Sequence, residues 1–569
     1  MLLPLAQSFF GWIDIGVVVA YLGVLIGIGA YFARRQKNMT DYFLAGQSMG
    51  WIPVGMSLMA ALNSGLDYMA GPFGIFKYGL IFIMGATSWL FLYPWVAYVT
   101  MPFYRRMNII SAYQYLEQRF NAGVRTLSAV IFLLWRLGWM ATALFVPSLV
   151  ISTTTGWPLL LVIVLLGTFV TIYTMLGGVE GIIWTDVIQF CLMLLGVVLT
   201  LIIAINAVDG GIAGIWDFAA KNGRTTIIEP FPADATTIGD RLSFLFNDYR
   251  SIVGIMLATI LGRATTYTCE QSTVQRFKAT RSLKDAKGAF IINAVGDTIW
   301  TLGLAFVGMA LYAYFKGKMP SGAREDTLTI YFMREAFPSG LNGLVVAAVL
   351  ASGLSAIDAS INACTSVIMS DFYKPYIAPL LWGPNRAVET AAEQRRDVMI
   401  SRIVTVLFAI IGMFLATQVQ HLGDIIVIAQ TVIQTFTGPL LALFLLGMFT
   451  RRAHGNAVII GGTIGMILAL FIALGRHIPA IVAMENAGWG IGPIIYYLNH
   501  IGFIWPTIFG FAGTWVISYV LSLLMPSSLS EAQRQLTWRD VMKRRETDDV
   551  AGMATASPAV PPPTAAAAP

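Results

Sequence analysis

Apolar stretches of about 20 residues recur along the whole chain and are separated by short polar segments. A helix needs about 20 apolar residues to cross a bilayer, whereas a transmembrane barrel shows short segments of alternating polarity. The pattern therefore predicts an all-α polytopic protein embedded in a lipid bilayer. An apolar region at 478–500 is interrupted by Gly and Pro, so we assign it to a loop. We place thirteen transmembrane helices, at residues 12–34, 51–72, 78–103, 126–153, 157–177, 182–207, 246–270, 288–315, 340–370, 399–419, 424–449, 455–475 and 502–525.

Composition agrees with this pattern, and charge orients the chain. The 569 residues are 57% hydrophobic and 12% charged, about half the charged fraction of a soluble domain. Basic residues concentrate in alternate loops, such as 104–125 and 271–287, which the positive-inside rule places in the cytoplasm. We expect a multi-pass protein of the plasma (inner) membrane, with its N-terminus outside and its C-terminus cytoplasmic. Because the net charge of +6 comes from residues that flank membrane segments, no nucleic-acid partner is expected.

The chain lacks the signals of a catalytic domain. The longest polar loops, 208–245 and 371–398, are too short to form one, and no P-loop, GxSxG or HExxH motif occurs. The three cysteines and four histidines show no metal-ligand spacing. The protein is therefore not expected to be an enzyme. We predict a retained first helix rather than a signal peptide, and a disordered cytoplasmic tail at 526–569, which ends in a Pro- and Ala-rich run.

The second span contains MAALNSGLDYMAGP, in which polar residues, Gly and Pro crowd a segment that should be apolar. Asn63, Ser64 and Asp67 lie at its centre. Backbone groups that leave a helix at membrane depth are tolerated where they line a cavity or bind something. A discontinuous helix near the midplane is typical of the substrate or ion site of a transporter, although a kinked helix with satisfied polar packing is the simpler alternative.

A second polar cluster, SGLSAIDASIN, occupies residues 352–362 of a long apolar span. Ser352, Ser355, Ala356 and Ala359 follow the spacing i, i+3, i+4, i+7 and share one narrow helix face. Hydroxyls on such a face either complete an oxygen shell around a small cation or let helices pack closely. Asp358 is a carboxylate in the middle of this span, and an aspartate there costs roughly 2.5–3.5 kcal/mol on insertion scales.

Five further charges fall within predicted spans. Arg136 and Arg263 are possible partners for two of the three acids, Asp186, Glu270 and Asp297. Spacing along the chain does not decide which arginine pairs with which acid.

Several stretches resemble the solute:sodium symporter family, to which the sodium–glucose cotransporters belong. They follow the family's order and cover about residues 10–450. Within the family, they are most similar to the sodium-coupled monocarboxylate, iodide and multivitamin branch. YTMLGGVEGIIWTDVIQF at 173–190 looks like the family signature. The other similar stretches are DYFLAGQSMGWIPVGMSLMAA (41–61), ISAYQYLEQRFN (110–121), EQSTVQRFKATRS (270–282) and SINACTSVIMSDFYKPY (360–376).

The resemblance implies a LeuT-type core of ten helices in two inverted five-helix repeats. These repeats correspond to residues 51–207 and 246–449 and are joined by an extracytoplasmic loop at 208–245. Residues 1–50 would form an extra N-terminal helix and the first cytoplasmic loop, and 450–525 would form peripheral C-terminal helices.

The resemblance also implies a sodium site between the first and eighth core helices. Carried over by motif, its residues are Ala60, Asn63, Ser352, Ser355 and Ala356. Ala356 stands where the family usually has Ser or Thr, so one hydroxyl ligand is missing. We hypothesise that Asp358 compensates for it; a proton-binding acid and an arginine partner are the alternatives. Asp186 matches an aspartate that the family links to the sodium path toward the cytoplasm.

The implied solute site departs from that of the bacterial galactose member. Asp67, Ala86 and Asp297 stand where that member carries Gln, Glu and Lys. Tyr267 matches an aromatic residue near the inner gate of the monocarboxylate branch. Such acids can hydrogen-bond hydroxyls or attract a cation, whereas Arg136 or Arg263 can hold a carboxylate. The candidate solute-binding residues are Ser64, Asp67, Tyr267, Glu270 and Asp297.

The sequence thus predicts a sodium-driven symporter for a small polar organic solute, which works by alternating access. Sodium is its coupling ion, and the oligomeric state stays open. A proton-coupled or uncoupled porter on the same fold is the first alternative, because of Ala356 and Asp358. A membrane sensor built on a transporter fold is the second.

Overall fold

The computed structural model is all-helical in the residues it describes, as the apolar pattern predicts. Within that part of the chain, β pairing is limited to one bridge between Met49 and Thr280. The predictions for 478–500 and for the last part of the tail lie outside the described residues. The structure describes the chain except residues 1–10, 34–37, 229–230, 232–234, 249–250, 321–326, 339, 384–389, 420, 422–424, 476–500, 503, 528 and 544–569.

The helices alternate between long membrane-length segments and short connecting ones. Residues Leu80–Ser88 form a 3₁₀ helix, and Val96–Thr100 and Ile368–Ile377 are π-helical. The α-helices are α1 (Trp12–Phe32), α2 (Met39–Leu44), α3 (Trp51–Leu62), α4 (Gly65–Tyr78), α5 (Trp89–Trp95), α6 (Met101–Arg105), α7 (Ala112–Arg119), α8 (Ala122–Thr155), α9 (Leu159–Ala207), α10 (Gly211–Lys221), α11 (Ile238–Asn247), α12 (Ile252–Cys269), α13 (Gln271–Ala279), α14 (Leu283–Tyr314), α15 (Leu328–Ala336), α16 (Leu341–Val367), α17 (Ala378–Trp382), α18 (Ala391–Val419), α19 (Ile425–Phe449), α20 (Gly455–Leu474), α21 (Trp505–Leu524), α22 (Glu531–Arg534) and α23 (Trp538–Val541).

The predicted count of thirteen spans is not confirmed. Among the described residues, ten helices are long and apolar enough to cross a membrane, and a bent pair at Gly65–Tyr78 and Ile83–Arg105 raises the number to eleven. Relative to eleven, the difference lies in two places. The predicted span 51–72 is divided between α3 and α4, and the predicted spans 157–177 and 182–207 are merged into α9.

Helix α9 contains a reversal at Gly178. Its 49 residues would extend about 70 Å as a straight helix, more than twice the hydrocarbon thickness of a bilayer. Gly178 has φ 55° and ψ −167°, a conformation that a residue with a Cβ rarely adopts. Both sides of this break meet α16, since Tyr173 donates to Asp358 and Gly196 packs against Ala348. The chain therefore folds back at Gly178, as two separate predicted spans require.

Helix α16 lies at the centre of the protein. Every residue from Val345 to Val367 is buried, and the helix packs against α9, α8, α1 and α3. Asp14 of α1 fixes one end, because its Oδ1 accepts a hydrogen bond of 2.6 Å from the backbone N–H of Gly343 in the first turn of α16. A Cβ at Gly343 would lie 2.4 Å from Asp14 Cα, so the close approach requires glycine there. Helix α16, which carries the polar cluster, is therefore surrounded by other helices.

The C-terminal segment differs from the predicted disordered tail at 526–569. Residues around α22 and α23 pack against the end of the protein that carries α7 and the end of α19. Trp538 Nε1 donates to the Val99 carbonyl at 3.1 Å, and Tyr115 Oη donates to the Leu536 carbonyl at 3.2 Å. The sequence signal was too weak because each helix is only four residues long and is stabilised by contacts to distant segments.

Small residues bring α20 and α21 into close contact. A Cβ at Gly465 would lie 1.9 Å from Thr514 Oγ1, and one at Gly461 would lie 2.2 Å from Ser518 Oγ. Both are tighter than any real Cβ contact, so the two backbones approach as closely as glycine permits.

We expect Gly465→Ala to lower the free energy of unfolding by about 1–3 kcal/mol, because the added methyl group forces α20 away from Thr514. Thermal unfolding of the purified protein in detergent measures this effect. Gly27→Ala is the matched control, because a Cβ at Gly27 meets no atom within 4 Å. Equal melting temperatures for the two variants would show that this contact is not tight.

Candidate functional site

The second predicted span is broken at Asn63 and Ser64, as its composition indicates. Both residues have extended backbone conformations between α3 and α4. Asn63 Nδ2 donates to the carbonyl of Met59 at 3.0 Å and caps the end of α3. Asp67 Oδ2 accepts from the backbone N–H of Ser64 at 2.7 Å and from its hydroxyl at 3.1 Å. These contacts close the start of α4 and occupy one oxygen of Asp67.

The serine face of α16 lies against this break. Ser355 Oγ is 2.8 Å from the carbonyl oxygen of Ala60 and 3.1 Å from that of Ser352, to either of which it can donate. The hydroxyl of Ser352 donates to Val349 at 2.9 Å. The tertiary structure therefore brings together Ala60, Ser352 and Ser355, which lie almost 300 residues apart in the chain. Ala356 adds no hydroxyl, and its carbonyl accepts from Ser360.

Asp358 is fully buried beside this face, and its partner is a tyrosine. Tyr173 Oη on α9 donates to Asp358 Oδ2 at 2.7 Å, while Asp358 Oδ1 has no hydrogen-bond partner among the described residues. Asp186 and Arg276 lie close enough for their charges to act on it. Among the described residues, Asp358 therefore has a tyrosine partner and no arginine partner.

Asp186 pairs with Arg276, which the sequence analysis assigned to an inside loop. Arg276 Nη2 lies 2.9 Å from Asp186 Oδ2, and Ser57 Oγ donates to the same oxygen at 2.5 Å. Arg276 Nε also donates to Ser57 Oγ at 2.7 Å, so α3, α9 and α13 meet at one buried cluster. The prediction of a loop was wrong, because residues Gln271–Ala279 form the second half of another broken helix. All residues of α13 are buried, and its basic residues read as a loop signal.

This second break lies between α12 and α13, at Glu270. Glu270 has an extended backbone conformation, and its Oε1 lies 3.1 Å from Arg136 Nη1 on α8. The hydroxyl of Ser272 donates to the same oxygen. Both side chains of the ion pair are at most 3% exposed, so they lie within the protein core. Arg136 is thus one of the two predicted charge partners, and its acid is Glu270.

The other predicted partner, Arg263, pairs with Asp297 between α12 and α14. Arg263 Nη2 lies 2.9 Å from Asp297 Oδ2, which also accepts from Trp89 Nε1 at 3.0 Å. The guanidinium of Arg263 stacks 4.5 Å above the Trp89 ring. Sequence reasoning missed Trp89, because an aromatic residue in an apolar span gives no signal of its own.

Tyr267 lies one helical turn beyond Arg263 and closes this region on one side. It is 3% exposed, its hydroxyl accepts from Asn293 Nδ2 at 2.7 Å, and its ring packs on Trp89 and Phe290. Tyr68, next to Asp67 on α4, packs on Trp300 with ring centroids 5.7 Å apart, and Trp300 lies about one turn beyond Asp297 on α14. Of the predicted solute-site residues, Asp67, Tyr267 and Asp297 therefore share one neighbourhood, whereas Glu270 is bound to Arg136.

Comparison with known proteins identifies relatives over nearly the same part of the chain. The sodium/sialic acid symporter NanT of Aliivibrio fischeri is 29% identical over 82% of this chain and 88% of its own length. The sodium-dependent multivitamin transporter of Oryctolagus cuniculus is 29% identical over 85% of this chain and 73% of its own.

Solved structures show the same arrangement of helices. A substrate-bound, outward-open Na⁺-coupled sialic acid symporter matches with a TM-score of 0.76 and 26% identity, over 91% of this chain and 99% of that one. Mhp1, a nucleobase-cation-symport-1 family transporter, shares the fold with a TM-score of 0.51 at 12% identity, over 88% of this chain and 98% of its own. The model of the sodium:solute symporter family matches residues 42–465, most of the 569-residue chain. The chain therefore belongs to the sodium:solute symporter family.

Proposed function

We propose that this sodium-coupled symporter binds its ion between the broken helix α3–α4 and the serine face of α16, and binds a small polar organic solute beside it. Membership of the family makes sodium-coupled solute uptake, rather than an enzymatic reaction, the activity of the chain. The observation that carries the site assignment is the contact of 2.8 Å between the Ser355 hydroxyl and the Ala60 carbonyl, at the point where α3 ends.

The proposed ion site consists of carbonyl and hydroxyl oxygens. Ala60, Asn63, Ser352 and Ser355 supply them, and sodium replaces the hydrogen bonds that these groups now make to each other. Hard cations prefer such oxygen ligands. Ala356 supplies only its carbonyl. Asp358 lies about one turn beyond Ser355 on α16. Its Oδ1 has no hydrogen-bond partner among the described residues, and its negative charge offsets the missing hydroxyl.

The proposed solute site lies between α4, α12 and α14. Ser64, Asp67 and Asp297 are its polar groups, and Tyr267 forms its floor. Glu270 contributes through its ion pair with Arg136 rather than by touching the solute, because Arg136 and Ser272 both hold its Oε1. The relatives named above are a sodium/sialic acid symporter and a sodium-dependent multivitamin transporter.

We place the protein in the plasma (inner) membrane with its N-terminus outside, on the distribution of basic residues. The two broken helices, α3–α4 and α12–α13, belong to the first and second proposed repeats. Ion binding at the first break then favours one packing of the repeats, and release favours the other.

A proton-coupled porter on the same fold is the second candidate. The observations that favour it are the missing hydroxyl at Ala356 and the Oδ1 of the buried Asp358, which has no hydrogen-bond partner in the part of the chain that the structure describes. In that case a proton gradient without sodium would drive uptake.

The test is thermal unfolding of the purified protein as sodium is titrated against choline at constant ionic strength. A ligand of the folded state stabilises it by RT ln(1 + [L]/Kd), so we expect a saturable, sodium-specific rise in melting temperature. Ser355→Ala should weaken sodium at least about tenfold, which corresponds to about 1.4 kcal/mol.

Ser148→Ala is the matched control for this variant. Ser148 is equally buried, and its hydroxyl donates at 2.7 Å to Leu144 in its own helix. Unchanged sodium affinity in Ser355→Ala would remove Ser355 from the ion site. Absence of any sodium effect, together with uptake driven by a proton gradient, would favour the second candidate.

A further inference from the structure

We infer that the solute is a zwitterion, a small amino-carboxylate whose carboxylate contacts Arg263 and whose ammonium group contacts Asp67 and Asp297. This inference rests on the proposed function, because it names the class of solute for the same site. It follows from the exposure, position and charge of one ion pair.

Exposure distinguishes the Arg263–Asp297 pair from the Arg136–Glu270 and Arg276–Asp186 pairs. The side chains of Arg136 and Glu270 are 3% and 1% exposed, and those of Arg276 and Asp186 are 4% and 0%. The side chains of Arg263 and Asp297 are 23% and 13% exposed. The first two pairs are sealed and hold helices together, whereas the third is accessible from outside the packed core.

The pair also bridges two separate groups of helices. Helix α12, which carries Arg263, packs mainly along α19, and α14, which carries Asp297, packs along α3 and α4. Asp67 stands in the first turn of α4, next to the break, and the adjacent Tyr68 packs on Trp300, about one turn beyond Asp297 on α14. The side chains of Arg263, Trp89 and Asp297 thus meet beside the broken helix, between these two groups of helices.

Charge then selects the kind of molecule. Asp297 contacts the guanidinium, and Asp67 is a second acid on the adjacent helix α4, so acids outnumber the arginine and the cluster attracts a positive group. Arg263 Nη1 is buried without a hydrogen-bond partner among the described residues, so the cluster also lacks an acceptor there. A buried donor without an acceptor is destabilising, and a carboxylate of the solute supplies the missing acceptor.

A solute with one charge satisfies only half of these needs. A simple amine leaves Arg263 Nη1 without an acceptor, and a simple carboxylate adds a third negative charge next to Asp67 and Asp297. An amino-carboxylate supplies both groups and leaves the net charge of the cluster unchanged. Trp89 and Tyr267 offer apolar ring surface for its carbon chain.

The experiment uses the full chain in detergent with saturating sodium and three probes of matched size, 4-aminobutyrate, butyrate and butylamine, together with 2-aminobutyrate. We expect one or both amino-carboxylates to raise the melting temperature at concentrations at which butyrate and butylamine have no effect. The inference would be overturned if only butyrate or butylamine raised the melting temperature, or if neither amino-carboxylate raised it.

Variants separate binding from a structural role. Arg263→Gln should weaken the amino-carboxylate at least tenfold and make butylamine the better ligand, since both acids stay in place. Asp297→Asn should weaken the amino-carboxylate and leave butylamine without effect. Asp240→Asn is the matched control, because Asp240 is exposed and accepts a hydrogen bond from the Thr237 hydroxyl. An unchanged order of probe affinities in Arg263→Gln would contradict the assignment.

The two proposals fail in different ways. Loss of the sodium effect in the absence of probes counts against the proposed ion site. A normal sodium effect with no preference for amino-carboxylates counts only against the zwitterion.

Discussion

Replacing Arg276 with leucine is expected to lower the free energy of unfolding by about 3–5 kcal/mol, one of the two largest effects that we predict for a change in this protein. The guanidinium is 2.9 Å from Asp186 and 2.7 Å from the hydroxyl of Ser57, and all three side chains are buried. Leucine leaves Asp186 as a buried carboxylate without a counter-charge. Thermal or chemical unfolding of the purified variant measures the loss.

We expect the same variant to lose transport, because Arg276 joins α13 to the two segments that flank the proposed ion site. Arg281→Leu is the matched control. Arg281 is an exposed residue in the same region, and its side chain donates a hydrogen bond to the Ser48 carbonyl. If the two variants unfolded at the same temperature, the Asp186 cluster would contribute nothing beyond a surface contact.

Glu270→Leu is expected to cost a similar amount, about 3–5 kcal/mol, because it leaves the Arg136 guanidinium buried and unpaired. Arg136→Leu should cost about as much by leaving Glu270 alone. The double variant should be more stable than either single variant, since two apolar side chains replace two buried charges. The side chains of Arg136 and Glu270 are at most 3% exposed. A double-mutant cycle on unfolding free energies measures this coupling.

The surface pair Arg451–Asp540 provides the control cycle. Its atoms lie 2.8 Å apart, but the arginine side chain is 65% exposed, so the coupling should be only about 0.2–1 kcal/mol. Additive losses at Arg136 and Glu270 would show that the two charges are stabilised independently.

Local composition was sufficient to predict the first broken helix. Asn63, Ser64, Gly65 and Pro72 interrupt an apolar run, and the structure leaves the helix at the first two of these residues. The second break was missed because α13 carries Arg276 and Lys278, which along the chain look like an inside loop. Only their burial against α3 and α9, and against the carbonyls of Met107 and Ile109, shows that the helix continues in the core.

The sequence by itself determined that this is an all-α membrane protein with polar clusters in two of its spans, because apolar run length and polar interruptions are local properties. It also supplied the acids and arginines that would need partners. Only the tertiary structure decided that Arg136 pairs with Glu270, Arg263 with Asp297 and Asp186 with Arg276. The last pair is 90 residues apart, and its formation depends on how α9 reverses at Gly178 and where α13 lies. Because the cost of a buried charge depends on its distance from an opposite charge, roles at this site follow from packing rather than from spacing along the chain.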